Sequence, residues 1–488
     1  MNTTLIVFVA LYLLATLGLG MWAGTRIKNT SDFAVAGRSL PLIMVITTTF
    51  ATWFGAETVM GVPAKFVQGG LNAIIEDPFG AGSCLILVGL FFATKLYKLN
   101  LLTIGDYYRQ RYGKGIEVFC SVAIILSYLG WVAAQITALG LVFTVLTNGA
   151  MAPATGMIIG TLAVLIYVVV GGFLAVAITD FIQMIVLVVG MTVIAFFAAD
   201  LAGGPDKVLA MAQQADLWRV LPEPNFTDIV FFIGAAITMM FGSIPQQDVF
   251  QRVMSAKDAP TARTGAVIGG AGYILFAFVP MFIVAAAVVV MGEHAMDIAR
   301  NDYQRLLPAF IMTKMPLVMQ ILFFGALLSA IKSTSSATLL APSTSFVENI
   351  LKNLRPEMSD KQLLKAMRIT IVVFAALVLA YAIAMEGTSI YELVSSAYQV
   401  TLVGAFVPLV MGLYWKRAST QGAILSIGAG IFVWLLFFPQ ITSWGDVFPG
   451  QLAGLLAAFA GMFIGSLAPQ VLKNRSEPAK HIVAQCLS

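Results

Sequence analysis

Six ionisable residues lie in or at the ends of apolar stretches of membrane-spanning length: Glu57, Glu76, Asp77, Asp180, Asp248 and Lys332. A charge at that depth is costly, so it marks an ion path, a substrate contact or an ion pair. Lys332 sits in SAIKSTSSATLLAPSTS, where Ala330, Ser333 and Thr334 share one helix face at i, i+3 and i+4. A carbonyl and two hydroxyls converging there suit a hard cation such as Na+, which takes oxygen ligands. Such hydroxyls equally bond one membrane helix to another, and spacing alone leaves both readings open. At about 100° per residue, Lys332 points roughly 150° away from the centre of that face. It is expected to meet another helix or the substrate, paired with a carboxylate such as Glu57 or Asp77. Left unpaired, an ammonium there would give up its proton. Asp248 and Arg252, four apart, read as an ion pair.

The elements that must position these residues are interrupted helices. One stretch reads TTTFATWFGAETVMGVP, with Gly55, Gly61 and Pro63 around Glu57 and Thr58. Another reads ITMMFGSIPQQDVFQRV, with Gly242 and Pro245 ahead of Gln246 and Gln247. Breaks of this kind survive in hydrocarbon only where the freed backbone groups line a cavity or find partners. Two of them at matching positions of two five-helix halves point to a transporter binding site.

The composition agrees. Of 488 residues, 59% are hydrophobic and 11% charged, with mean hydropathy +0.91, against about 25% charged in soluble domains. This excludes a cytosolic enzyme and a nucleic-acid-binding protein, and places the chain in the bilayer as an all-α polytopic protein. Thirteen spans are expected, at 4–24, 40–63, 69–94, 116–147, 152–171, 174–199, 227–250, 264–292, 316–346, 369–386, 390–414, 421–438 and 448–468. With the N-terminus outside, 21 of the 28 Lys and Arg residues fall on the inner side and six outside, leaving Lys332 in mid-span. The expected location is the cell inner (plasma) membrane with the C-terminus cytoplasmic. The 1–488 chain reads as one transporter domain: an extra N-terminal helix at 4–24, a core at 40–414, two further helices at 421–468 and a tail at 469–488. Leu5 to Gly20 lacks a preceding basic segment and reads as a retained helix.

Other chemistries lack their motifs. Cys84, Cys120 and Cys486 are too dispersed for a metal or disulfide framework, and His294 and His481 lie far apart. No GxxxxGK[ST] or HExxH occurs, which removes a primary pump and a metalloprotease. A ligand sensor would need an output domain, and the segment after the last span reads only as a short tail.

Four motifs resemble the sodium/solute symporters, the family of the proline, glucose and high-affinity choline transporters: DFAVAGRSLP, GDYYRQRYG, VVGGFLAVAITDFIQ and SAIKSTSSATLL. The match runs from about residue 5 to 420, and ATWFG with GSIPQQDVFQRV is most similar to the choline-transporter branch. The resemblance implies a five-plus-five inverted-repeat core starting at the second span, with transport driven by sodium. Its sodium ligands fall on the carbonyls of Ala51 and Phe54 and on Ala330, Ser333 and Thr334. An acidic residue supporting ion coupling falls on Asp180. Thr58 and Asp77 match substrate contacts, with Trp53, Glu57, Trp131, Gln135, Gln246 and Gln247 placed nearby. Lys332 departs from the family pattern, in which this position is apolar, and so raises the alternative of a proton-coupled carrier. Sodium is then the coupling ion, without an organic cofactor, and the partners are a small polar metabolite and the bilayer. The metabolite is expected to be a choline-like amine or an amino acid, with a sugar or carboxylate as the alternative. The chain is expected to be a monomer or a weak homo-oligomer.

Overall fold

A computed structural model describes residues 3–438 and 441–472. The expected inner residues Lys473, Arg475 and Lys480, with His481 and Cys486, lie outside the described residues. The described chain is all-α, and its one isolated extended pairing joins Leu40 to Ala256.

Nine described helices are long and apolar enough to cross a membrane. A tenth crossing is the pair Phe226–Gly242 and Gln247–Ser255, bent by 47° at Pro245. Three expected spans escape this criterion for identifiable reasons. The fifth and sixth merge into Pro153–Leu201, 49 residues long, or about 74 Å at 1.5 Å per residue. That is more than twice a hydrocarbon core of roughly 30 Å. Gly172 interrupts the run at φ 51° and ψ −156°, a conformation open to glycine, and a Cβ there would lie 2.7 Å from the Phe33 carbonyl oxygen. The second expected span is divided into Leu42–Phe50, Glu57–Gly61 and Val62–Ala73. The twelfth, Thr420–Leu436, has only 17 residues.

The ninth span, Leu317–Ser345, lies at the centre and packs on Pro153–Leu201, on Lys114–Leu146 and on the N-terminal helix Thr3–Gly24. From Phe323 almost every residue to Ser345 is buried. A helix apolar or hydroxylic all round is what a central position requires. Thr420–Leu436 and Gly450–Leu467 pack together outside this group.

Hydrogen bonds gather the basic segments at one end. Leu40 N donates to Ser255 O at 2.9 Å, Arg38 to Leu101 O at 2.7 Å, Thr30 Oγ1 to Asp360 at 2.6 Å, and Arg111 to Ala418 O at 2.7 Å. At the opposite end Leu71 N donates to Leu217 O at 2.9 Å and Ile390 N to Gln304 at 2.8 Å. Short helices between the spans form at Pro205–Gln214, Glu293–Asn301 and Leu306–Lys314.

Candidate functional site

The break in the second span brings three sets of side chains to one place. Gly55 is the point of closest approach. A Cβ on it would lie 2.6 Å from Glu57 Oε2, 2.7 Å from Thr334 Oγ1 and 2.8 Å from Gln135 Oε1. A larger residue here would push aside a carboxylate, a hydroxyl and an amide that converge on its α-carbon.

On one side hydroxyls and a carboxylate gather beside a small void. Thr334 Oγ1 points at Ala51 O from 3.5 Å. Ser333 donates to Asp180 Oδ1, while Thr48 Oγ1 donates to Asp180 Oδ2 at 2.6 Å. Ala51, Asp180, Gln183, Ala330 and Ser333, together with the apolar Phe50, Phe54, Met184 and Leu187, line a void of about 10 Å³, close to the roughly 10–15 Å³ that one water-sized sphere needs. The face inferred from i, i+3, i+4 spacing thus turns toward the broken helix, with a buried carboxylate beside it.

On the other side are aromatic rings and carboxylates. Trp53 and Trp131 lie 4.9 Å apart between centroids, and Tyr398 is 5.4 Å from the first and 5.5 Å from the second. Tyr128 stacks on Trp131 at 5.8 Å. Glu57 accepts from Trp131 Nε1 at 3.1 Å and from Gln135 Nε2 at 2.5 Å, and Gln135 Oε1 accepts from Ala56 N at 3.0 Å. Gln135 therefore ties the restart of the helix to its carboxylate. Thr58 Oγ1 lies 2.8 Å from Tyr273 Oη, which donates to Asp77. Glu76 accepts from Ser395 at 2.7 Å. Among the described residues no Lys or Arg nitrogen lies within 4 Å of Glu57, Glu76 or Asp77, and buried oxygens of Glu76 and Asp77 are left without a partner.

The break in the seventh span closes the floor. Thr401 Oγ1 donates to Gly242 O at 2.6 Å, taking up a carbonyl freed by the break. Gln246 donates to Ser127 at 2.8 Å. Gln247, expected among the substrate contacts, instead accepts from Ile104 N at 2.9 Å and so caps the helix Ile104–Tyr112. Asp248 and Arg252 pair as the i, i+4 spacing predicts, at 3.6 Å and fully buried. Tyr128 donates to Asp248 at 2.5 Å, and Arg252 Nε donates to Thr48 O at 2.7 Å.

Lys332 is placed differently from expectation. Its ammonium lies 4.3 Å from the Tyr167 ring centroid, makes no hydrogen bond among the described residues, and does not pair with Glu57 or Asp77. Those carboxylates are already held by N–H and O–H donors on the far side of the ninth span. The sequence reading also passed over Tyr273, Tyr398 and Thr48. A tyrosine in mid-span is itself a signal, since its hydroxyl must find a partner when buried.

Comparison with known proteins gives the arrangement a context. The chain is 27% identical to the high-affinity choline transporter 1 of Caenorhabditis elegans, over 96% of this chain and 85% of that one. It is 29% identical to the high affinity choline transporter 1 of Homo sapiens, over 88% and 76% respectively. Its fold matches a Na+-coupled sialic acid symporter solved in a substrate-bound outward-open state, with a TM-score of 0.83 at 22% identity, over 95% of this chain and 97% of that one. These relatives are transporters rather than enzymes. The family model described as the sodium:solute symporter family matches residues 33–430, and the chain belongs to that family, as a multi-pass membrane protein that moves a small solute with sodium as the coupling ion.

Proposed function

We propose that the protein imports a small organic amine with sodium by alternating access. The observation that carries the substrate class is the Glu57 carboxylate set against Trp53, Trp131 and Tyr398, with Asp77 nearby and no Lys or Arg nitrogen within 4 Å of either among the described residues. Aromatic faces attract a cation, most strongly where water is excluded, and unbalanced buried carboxylates favour a positive ligand. An amino acid would also need a donor for its own carboxylate, which this pocket does not supply from Lys or Arg. The choline-like branch of the expectation is therefore preferred, with Trp53, Glu57, Thr58, Asp77, Trp131, Gln135 and Gln246 as substrate contacts. Gln247 then acts through the helix it caps.

Sodium is assigned to Ala51, Phe54, Ala330, Ser333 and Thr334, in and beside this void, with Asp180 supplying the negative charge. Two carbonyls at a helix break, a third on the ninth span and two hydroxyls form an all-oxygen set of the kind a hard cation prefers. Lys332 stands apart from this set, and no ion-coupling role is assigned to it.

Counting the broken second span, the two halves of Pro153–Leu201 and Thr420–Leu436 gives thirteen crossings, with the five-plus-five core at 40–414. The basic end then faces the cytoplasm, as the distribution of Lys and Arg requires.

A thermal-shift series on purified protein tests this reading, with choline, neutral amino acids and hexoses each added with and without sodium. A sodium-dependent rise in Tm with choline-like amines is expected. A rise only with hexoses or neutral amino acids overturns the substrate class, and a ligand-induced rise independent of sodium overturns the coupling.

A further inference from the structure

A groove of about 670 Å³ opens on the outer surface of the bundle, between the start of Lys114–Leu146 and the helix Thr420–Leu436. Tyr112, Ile116 and Phe119 form one wall, and Ile424, Ile431 and Phe432 the other. Phe119 and Phe432 are 44% and 64% exposed. Gly115 and Gly428 keep it open, for a Cβ on either would meet nothing within 4 Å. From Thr420 to Leu435 the groove runs about 22 Å along the helix at 1.5 Å per residue, longer than the roughly 15 Å depth of one leaflet. That shape takes a chain lying lengthwise.

One mouth of the groove is basic. Lys114 adjoins Gly115, and Lys416 and Arg417 immediately precede Thr420. All three are exposed. Lys114 donates to Asn353 O at 3.0 Å. No acidic residue occurs between 407 and 445. The neighbouring Glu117 is buried and accepts from Asn349 and Asn353. Lipid tails are as apolar as the groove, so tail contact alone offers little preference over bulk bilayer. Selectivity has to come from the headgroup, and a basic mouth at the membrane surface selects an anionic one.

We infer that this groove is a site for an anionic phospholipid, its acyl chain lying along Thr420–Leu436 and its phosphate at Lys114, Lys416 and Arg417. The lipid braces the eleventh span. Tyr108 and Tyr112 donate to Ala405 O at 2.9 Å and Pro408 O at 2.8 Å, and the same span carries Tyr398 of the aromatic cluster. Thr420 Oγ1 donates to Tyr112 O at 2.9 Å, joining the two walls at the mouth.

The test uses full-length protein in nanodiscs of phosphatidylcholine, with or without phosphatidylglycerol of the same acyl chains, read by native mass spectrometry after detergent release and by Tm. One phosphatidylglycerol per protomer is expected, together with a Tm rise that phosphatidylcholine does not give. Gly428→Phe, which fills the groove, should abolish both, whereas Gly428→Ala should retain them. Lys416→Gln with Arg417→Gln should weaken phosphatidylglycerol retention up to about 30-fold. Three results overturn the assignment: equal retention of the two lipids by the native chain, phosphatidylglycerol selectivity surviving both Gly428→Phe and the charge-neutralised variant, or Gly428→Phe acting by dissociating a dimer.

Discussion

Thr334→Ala and Ser333→Ala separate an ion site from a mere hydroxyl seam between helices. If both hydroxyls bind sodium, each substitution removes one ligand from the bound state. A contact to a charged group is worth about 1.5–3 kcal/mol. The space vacated beside the 10 Å³ void lets a water take over part of that role, leaving a net loss of about 1–2 kcal/mol, or roughly 5- to 30-fold in sodium affinity. The two variants should differ in the absence of sodium. Ser333 donates to the buried Asp180 carboxylate, so its loss strips a partner from a buried anion and lowers Tm. Thr334 meets Ala51 O only at 3.5 Å, so its loss costs the sodium-free protein little. The assay is a sodium titration of uptake in proteoliposomes, paired with thermal melts of sodium-free protein. Sodium half-saturation within twofold of the native value in both variants would refute the site. A Tm loss in Thr334→Ala equal to that in Ser333→Ala would refute the geometry.

Glu57→Gln should weaken amine binding by about 10- to 100-fold while sodium affinity holds, checked by sodium-dependent thermal shifts. Gly55→Ala should abolish sodium-dependent substrate binding in folded protein, because its Cβ would intrude on Glu57, Thr334 and Gln135. Arg252→Met should destabilise by about 3–5 kcal/mol by leaving Asp248 buried without its cation; Asp248→Leu added to it should recover much of the loss, as read by Tm. Lys332→Met should leave the sodium dependence of uptake unchanged, and a shift in sodium half-saturation would bring Lys332 into the coupling machinery.

How legible the site was depended on whether its signal was local. The hydroxyl face of the ninth span follows from 3.6-residue periodicity within one helix, and the two helix breaks follow from Gly and Pro within a few residues. The Asp248–Arg252 pair is likewise an i, i+4 relation. Lys332, Gln247, Tyr273 and Tyr398 were misplaced or overlooked because their partners lie far away in the chain. Tyr273 finds Asp77 196 positions away, and Gln247 finds Ile104 143 positions away. Helical phase gave the direction of Lys332, away from Ala330, Ser333 and Thr334, but not the Tyr167 ring waiting there. A ring face was also the cheaper partner, since a carboxylate brought to that side would have been a second buried charge needing its own donors. The boundary between the fifth and sixth expected spans, set between 171 and 174, was also a local signal: Gly172 divides that run of helix with a single residue.

The unassigned feature with most bearing on mechanism is Thr48. Its hydroxyl holds Asp180 at the proposed sodium site, while its carbonyl holds Arg252 of the second half of the seventh span. Arg252 in turn pairs with Asp248, which Tyr128 anchors to the fourth span beneath Trp131. A sodium ion leaving the void would leave the Asp180 charge to be balanced by the Thr48 and Ser333 hydroxyls and the nearby Arg252 charge. Any movement of Thr48 toward Asp180 must then either stretch the Arg252 bond or carry the half-helix with it. Both breaks therefore meet at one threonine, and Thr48→Val, which keeps the carbonyl and removes the hydroxyl, cuts the link without disturbing the Asp248–Arg252 pair. If ion occupancy is transmitted to the basic-end closure through this residue, that variant will bind sodium and substrate but lose the dependence of one on the other.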